Sequence, residues 1–288
     1  MGLTAKLFIV AGLGAAFLVA RWKDPAFDVE SLKGARVLVT GASMGIGEQI
    51  AYHLAKAGAQ IVITARRGHV LEKVVQKCLD LGAQKALFIP ADMSVVADPD
   101  RVVTFAVDQL GGLDYLVLNH IGPSPFAMWD GDVEHVRWLM QVNFISFVQM
   151  TQKALPFLEQ SKGSLMAVSS MLGKVCSPLA LPYTATKFAI NGFFGSLRHE
   201  LAMKKSNVSI SVCTLGLIDT ESAMEKIKPY SDMPGHPASE AAWSIIQAGA
   251  KRQAESHYPS YTYYAGLFID FVPSLRDYMI QNLYHYEP

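Results

Sequence analysis

Three side chains in the second half of the chain have the types and spacing needed for redox chemistry at an alcohol or a ketone. Tyr183 and Lys187 are four residues apart at the start of a stretch with helical periodicity, residues 183–203. Their phenol and ammonium groups would therefore project from one helix face. Ser170 comes earlier, where the apolar run over residues 165–168 ends. A hydroxyl, a phenol and a cation held together can bind a carbonyl oxygen and donate a proton to it.

A glycine-rich segment near the amino end has the context of a dinucleotide-binding turn. Residues 36–40 form a predicted buried strand, Gly41, Gly45 and Gly47 follow it, and residues 46–57 have helical spacing. In this context the glycines let the backbone approach a pyrophosphate, and the helix N-terminus offers free N–H groups. The segment therefore predicts a nucleotide site.

The residues after the next predicted strand, residues 60–64, indicate which dinucleotide binds. An acidic side chain there would bind the ribose 2′-hydroxyl of NAD, whereas an arginine suits the 2′-phosphate of NADP. The sequence has Arg66 and Arg67 at this place and no acid nearby. We therefore expect NADP(H), with Arg66 as the better phosphate ligand and Arg67 closer to an ordinary surface residue.

Predicted strands and helices alternate along the rest of the chain. The repeated β-α-β pattern predicts an α/β fold, a single Rossmann-like domain with a doubly wound parallel sheet and an N-terminal apolar segment. Ligands of such sheets bind beyond the carboxyl ends of the strands. Five residues follow predicted strands and should line that edge: Gly41, Asp92, Asn119, Ser170 and Gly216. Asn143, inside a predicted long helix over residues 133–158, is polar among apolar neighbours and needs buried partners.

Composition excludes several other classes of protein. Lysine plus arginine and aspartate plus glutamate each total 25 and form no basic stripe, so we expect no nucleic-acid partner. Cys78, Cys176 and Cys213 are too few and too scattered for a disulfide framework or a zinc site, so we expect no metal. Hydrophobic residues make up 51% of the chain, enough for a sizeable core.

The amino end predicts entry into the secretory pathway. Residues 7–20 form an uninterrupted apolar run, shorter than the roughly 20 residues that a membrane span needs. We therefore interpret residues 1–20 as a signal peptide or signal-anchor and residues 21–33 as a linker. Cleavage would give a secreted protein, and retention an endoplasmic reticulum anchor with a lumenal domain. Asn207 begins an Asn-Val-Ser glycosylation acceptor.

Two loop-like stretches and the carboxyl end of the chain are rich in apolar or aromatic residues. Residues 122–130 and 221–236 are apolar-rich, follow predicted strands and should form walls for a small lipophilic substrate. Residues 256–288 form an extension rich in aromatic side chains. These aromatics predict a homodimer contact, a membrane-surface contact or packing against the core.

The motifs together resemble the short-chain dehydrogenase/reductase family, whose domain we place at residues 34–255. The resemblance implies Tyr183 as acid/base, Lys187 as its pKa-lowering partner, Ser170 as carbonyl binder and Asn143 as holder of a relay water. Ser170 and Tyr183 would also bind the substrate. The cofactor-binding residues that the resemblance implies are Gly41, Ser43, Met44, Gly45, Ile46, Gly47, Arg66, Arg67, Asp92, Met93, Asn119, Tyr183, Lys187, Ile218 and Thr220.

Residues 111–122, residues 215–220 and the apolar N-terminus resemble the 11β-hydroxysteroid dehydrogenase branch of the family. His120 and Ile121 stand where Asn-Ala is usual, and Leu215 replaces a usual proline; the steroid branch shares both departures. Met44 occupies a position that is often basic in NADP-preferring members, which predicts one phosphate contact fewer. The leading hypothesis is an NADP(H)-dependent steroid alcohol–ketone oxidoreductase. The alternatives are a retinoid or general lipophilic carbonyl reductase and a non-catalytic NADP-binding scaffold.

Overall fold

The strands form one parallel sheet in the order β3-β2-β1-β4-β5-β6-β7. The structure is a computed structural model that describes residues 27–268 and 273–284. Apolar runs, rich in valine, isoleucine and leucine, form strands that are buried on both faces, as expected when helices cover both sides. The strands in these residues are β1 (Arg36–Thr40), β2 (Gln60–Ala65), β3 (Lys85–Pro90), β4 (Tyr115–Leu118), β5 (Ser164–Ser170), β6 (Ser209–Leu215) and β7 (Glu255–Tyr258).

Helices pack on both faces of the sheet and bury two separate apolar clusters. One cluster joins Ile50, Leu71 and Ala241, and the other joins Val102 and Phe147. This arrangement confirms the doubly wound α/β fold. The helices are α1 (Gly45–Lys56), α2 (Gly68–Asp80), α3 (Asp98–Leu110), α4 (Val133–Met140), α5 (Ser146–Ser161), α6 (Leu181–Met203), α7 (Glu221–Ile227), α8 (Ala238–Ala250), α9 (Tyr261–Phe268) and α10 (Pro273–Gln281).

The sheet order creates a crevice beside β1. Its neighbours β2 and β4 belong to the two halves of the sheet, so the connections that leave β1 and β4 diverge to opposite faces. Gly41 follows β1, Asn119 follows β4 and Ser170 ends β5. The fold therefore brings these residues to one edge of the sheet.

The predicted long helix over residues 133–158 is divided into α4 and α5. A π-helical turn, Gln141–Ile145, lies between them, and the N–H of Ser146 donates to the carbonyl of Gln141. Such turns insert one residue into a helix and often occur at functional sites. The apolar periodicity of the sequence continues through this turn, so periodicity alone did not reveal it.

Parts of the two expected terminal regions pack against the domain. Phe27, within the stretch expected to be a linker, lies 5.1 Å from Trp243 between ring centroids, and a 3₁₀ turn at Val29–Leu32 buries Leu32. The expected boundary at residue 255 falls inside β7, which pairs with β6. The signal or anchor predicted for residues 1–20 lies outside the described residues. No helix among residues 27–268 and 273–284 is long and apolar enough to cross a bilayer.

Candidate active site

The glycine turn leaves an open backbone surface at the start of α1. Gly41 and Gly45 have φ values of 66° and 61°, a region that residues with a side chain rarely adopt. A Cβ on Gly47 would lie 2.3 Å from the carbonyl oxygen of Gly41. Met44, the residue before α1, makes no side-chain capping hydrogen bond, so the first N–H groups of the helix have no side-chain acceptor there. This backbone fits the pyrophosphate of a dinucleotide.

Six predicted cofactor residues lie in or beside this turn. The methyl group of Thr220 would be 2.9 Å from a Cβ on Gly45, and Ile218 is buried beside it and pairs with His236 in an isolated β-bridge. Ser43 accepts a hydrogen bond from Arg67 Nη2 at 3.1 Å. Arg67 is an exposed residue, as expected from the sequence, and this bond brings it into contact with the turn. Met44 is exposed, and Ile46 packs against the core.

Asp92 and Asn119 lie on either side of the crevice, and both are held by local hydrogen bonds. The Asn119 side chain donates to the carbonyls of Thr40 and Gly41, which fixes the backbone of the turn. Asp92 accepts from the N–H and hydroxyl of Ser94. Burial alone would raise the pKa of Asp92, but these bonds and the Arg66 charge hold it below its ordinary value. Its neighbour Met93 is buried in the core, so we expect only its backbone to face a ligand.

Ser170, Tyr183 and Lys187 lie together, as the sequence predicts. Ser170 is the last residue of β5, and Tyr183 and Lys187 lie on the first turns of α6. The Ser170 hydroxyl hydrogen-bonds the Tyr183 phenol. Lys187 Nζ lies 5.4 Å from the centre of the Tyr183 ring and donates to the carbonyl of Val168 at 2.8 Å. The lysine nitrogen is thus placed over the Tyr183 ring while it is hydrogen-bonded to β5.

Asn143 has the buried partners that its apolar surroundings require. It lies in the π-helical turn, where its Oδ1 accepts from the N–H of Gly122 at 2.7 Å. Its Nδ2 donates to Thr186 Oγ1 at 3.2 Å, and the Thr186 hydroxyl donates to the carbonyl of Tyr183. Asn143 therefore connects the loop after β4 to the helix that carries Tyr183.

The pKa values at the site differ from the simple expectation. Burial raises the pKa of Tyr183 to about 12, although the Ser170 hydrogen bond opposes this. Burial also lowers the pKa of Lys187 to about 7. The expected lowering of the phenol pKa by a lysine cation is therefore not seen in this structure. The reason is that burial disfavours the charged form of both groups.

We predict that Lys187→Met changes how stability depends on pH. The pKa of Lys187 is about 7 in the folded protein, and its ordinary value, expected in the unfolded chain, is 10.5. Between these two pH values the unfolded chain carries a proton on Lys187 that the folded protein has largely lost. The free energy of unfolding of the wild type should therefore rise with pH in this window. Lys187→Met has no charge to bury, so we expect it to be more stable than the wild type at pH 7. Urea unfolding should show this difference in the free energy of unfolding shrinking by about 2 kcal/mol from pH 7 to pH 9. Parallel pH curves for the two proteins would contradict the burial of this charge.

Several residues that contact the site are absent from the site residues predicted from the sequence. Thr40 and Thr186 anchor Asn119 and Asn143, and each is a buried threonine that ends or interrupts an apolar stretch. That pattern is a usable signal, because a buried hydroxyl needs a partner. Ser177 and Tyr284, whose hydroxyls lie 2.9 Å apart, meet only through the fold and give no local signal.

The predicted glycosylation residue is far from this edge. Asn207 is exposed in the loop between α6 and β6, at the amino ends of the strands. The catalytic candidates lie at the carboxyl ends. A glycan on Asn207 would therefore leave the crevice open.

Comparisons with known proteins agree with this arrangement. Residues 35–231 match the family model of the short chain dehydrogenases. The chain is 67% identical over 288 residues to the Hydroxysteroid 11-beta-dehydrogenase 1-like protein of Danio rerio, with 100% of both chains covered. It is 56% identical over 282 residues to the protein of that name from Gallus gallus, covering 98% of this chain and 97% of the relative. The human protein of that name is 51% identical over 232 residues, covering 81% and 73%.

A solved structure supports the fold independently. The crystal structure of a short chain dehydrogenase/reductase from Burkholderia phymatum in complex with NAD superposes with a TM-score of 0.75. It is 18% identical in sequence and covers 85% of this chain and 96% of its own. The chain therefore belongs to the short-chain dehydrogenase/reductase family of oxidoreductases, which use a nicotinamide cofactor.

Proposed function

We propose that this protein is an NADP(H)-dependent oxidoreductase that interconverts a secondary alcohol and a ketone on a steroid. The observation that carries the proposal is the contact of the Ser170 hydroxyl with the Tyr183 phenol, above the buried Lys187. The names of the relatives support a steroid as the substrate class. The position of these groups beside the glycine turn supports a reaction at a bound nicotinamide.

The chain's own residues would hold the cofactor along the crevice. The glycine turn would bind the pyrophosphate through backbone N–H groups, and Asp92 and Asn119 would contact the adenosine and nicotinamide sides. Lys187 would contact a ribose. A bound nicotinamide dinucleotide supplies or accepts the hydride.

Proton transfer is the task of Tyr183 in this proposal. A phenol whose pKa is about 12 stays protonated at neutral pH and can donate to a carbonyl oxygen. Ser170 would hold that oxygen through its hydroxyl. Asn143, held at both ends of its amide, would keep a relay water in line with the Tyr183 helix. Alcohol oxidation uses the same groups in reverse.

The choice of NADP(H) rests on two exposed arginines after β2. Arg67 already contacts Ser43 of the turn, and Arg66 faces Asp92, the nearby acid. A 2′-phosphate between these guanidinium groups would gain charge-assisted hydrogen bonds, each worth about 1.5–3 kcal/mol. An NAD ribose would gain neither.

We predict that the double variant Arg66→Gln, Arg67→Gln loses this preference. The ratio of kcat/KM with NADPH to kcat/KM with NADH should fall about 100-fold, mostly through a higher KM for NADPH. Arg137→Gln removes an exposed arginine that pairs with Glu134 on α4 and is the matched control. A wild type that uses both cofactors equally would refute the assignment.

The substrate end of the crevice is apolar and aromatic. Phe126 lies 5.4 Å from Tyr230 and from Tyr284 between ring centroids, which joins the loops predicted as substrate walls to the carboxyl end of the chain. The Ser177 hydroxyl donates to the Tyr284 hydroxyl at 2.9 Å, so this wall also contains a pair of polar groups. A rigid lipophilic molecule with a second oxygen suits such a surface.

The decisive experiment is a turnover assay with purified full-length protein. NADPH oxidation and NADP reduction would be followed with cortisone, cortisol, retinal, retinol and menadione. We expect the highest kcat/KM with a steroid. Preference for retinal or menadione would favour a retinoid or general carbonyl reductase. NADPH binding without turnover on any of these compounds would favour a scaffold.

We also propose that the protein enters the secretory pathway and forms a homodimer. The apolar residues 7–20 and the exposed Asn207 support the first proposal. Exposed apolar side chains on and just after α10, namely Leu275, Tyr278, Met279 and Leu283, support a contact with a second copy or a membrane surface. Removal of N-glycans and light scattering of the purified protein test the two proposals separately.

A further inference from the structure

His120 bridges the nucleotide turn and the π-helical turn through buried hydrogen bonds. It follows Asn119 after β4 and is almost completely buried. Its Nδ1 lies 2.8 Å from Oγ1 of Thr40, the residue before Gly41. Its Nε2 lies 3.1 Å from the carbonyl oxygen of Val142, in the π-helical turn, and 2.8 Å from the Ser146 hydroxyl. One imidazole ring thus spans from the end of β1 to the turn that carries Asn143.

The contacts of Nε2 determine which ring nitrogen carries the proton. Burial lowers the pKa of His120 to about 3, so the ring is neutral and has one N–H. The Ser146 hydroxyl donates to the Val142 carbonyl at 2.6 Å, which leaves Nε2 facing two oxygens. An unprotonated Nε2 would direct its lone pair at a carbonyl oxygen 3.1 Å away. We therefore assign the proton to Nε2. Nδ1 then accepts from the Thr40 hydroxyl at 2.8 Å, in place of that hydroxyl's other acceptor, the Val117 carbonyl at 3.1 Å.

The backbone after His120 makes a second connection to the same turn. The N–H of Gly122 donates to Asn143 Oδ1, and Asn143 Nδ2 donates to Thr186. Trp138 limits movement here, since a Cβ on Gly122 would lie 2.8 Å from its ring. The segment from His120 to Gly122 therefore fixes both the backbone of the π-helical turn and the Asn143 side chain.

We propose that His120 is a positioning residue that sets Asn143 and the Tyr183 helix relative to the nucleotide turn. The continuous path runs from Thr40 through His120 and Val142 to Asn143, and then through Thr186 to the carbonyl of Tyr183. The effect on turnover rests on the proposed function. The effect on the geometry of the turn does not.

Three substitutions separate the two ends of the imidazole. His120→Gln places an amide N–H near the position of Nε2 and can keep the contact with Val142. His120→Asn reaches only the position of Nδ1 and keeps the contact with Thr40. His120→Ala keeps neither. Thr151→Val is the control, because it removes a buried hydroxyl that donates to Phe147 in α5 without touching His120.

We expect kcat to depend on whether a variant keeps the hydrogen bond to the Val142 carbonyl. We expect kcat to fall about 10- to 100-fold in His120→Ala and His120→Asn, while KM for the carbonyl substrate and the Kd for NADPH change less than about 3-fold. His120→Gln should restore kcat to within about 3-fold of the wild type. The carbonyl probe is cortisone or, if it is not reduced, the fastest compound of the panel. Equal kcat in the Gln and Asn variants, or full kcat in His120→Ala, would overturn the proposal.

Amide hydrogen exchange tests the geometry without any catalysis. In His120→Ala the amides of Gly122 and of residues 142–146 should exchange about 10-fold faster than in the wild type, and His120→Gln should restore their protection. Thr151→Val should leave the Gly122 amide unchanged. Unchanged exchange in His120→Ala would reject the positioning role even if the wild type reduces none of the probes. The remaining outcome is faster exchange in His120→Ala together with a wild type that reduces none of the probes. That result would reject only the proposed function.

Discussion

Tyr183→Phe is expected to reduce kcat at least about 1,000-fold while the Kd for NADPH stays within about 3-fold of the wild type. A general acid contributes typically 10²- to 10⁴-fold, and the same phenol also contributes a hydrogen bond to the reacting oxygen. Phe fills nearly the same volume but has no proton to donate. Ser170, which hydrogen-bonds the phenol, would keep its place at the end of β5 but cannot replace the donor. Single-turnover kinetics and NADPH fluorescence titration measure the two quantities.

The control for this variant removes a phenol hydroxyl elsewhere. Tyr115 starts β4 at the amino ends of the strands, away from the crevice, and is partly buried like Tyr183. Tyr115→Phe should therefore leave kcat unchanged. If Tyr183→Phe retained more than about 1% of wild-type kcat, the phenol would not be the proton donor. If it lost NADPH binding as well, the substitution would have disturbed the crevice and not only the chemistry.

Much of the fold could be predicted because its signals are local. Apolar runs separated by helical periodicity indicate a parallel sheet covered on both faces, and the strand-ending residues Gly41, Asn119 and Ser170 lie along one edge as expected. The π-helical turn could not be predicted, because it changes the helix by one residue without changing the apolar pattern. The packing of the carboxyl end could not be predicted either. Thr262 is buried and Tyr284 meets Ser177 only because distant segments converge.

The site shows the same division between local and long-range causes. Tyr183 and Lys187 share a helix face, so their proximity follows from helix geometry. Their pKa values do not follow from spacing. They depend on how completely the fold excludes water, and Lys187 is only 2% exposed. The contacts of His120 with Thr40 and Val142 could not be predicted from its sequence context, because they form only when the sheet and the helix layer are assembled.

We expect Gly47→Ala to weaken NADPH binding at least about 100-fold. The added Cβ would lie 2.3 Å from the carbonyl oxygen of Gly41 and 2.7 Å from Asn119 Nδ2, and the first of these is backbone that cannot rotate away. The start of α1 must therefore move away from the turn. Loss of two charge-assisted hydrogen bonds from its N–H groups, at about 1.5 kcal/mol each, accounts for this factor. Isothermal titration with NADPH measures the change in Kd.

A second glycine separates this effect from a general cost of the substitution. Gly192, on α6, has no atom within 4 Å of an added Cβ, so Gly192→Ala should bind NADPH as the wild type does. It should also unfold at a slightly higher temperature, because alanine favours a helix by about 0.5–1 kcal/mol over glycine. Circular dichroism should show Gly47→Ala folded, since a shift of one helix end relieves the contact. Wild-type affinity in that variant would mean that phosphate binding does not depend on the close approach of α1 to Gly41.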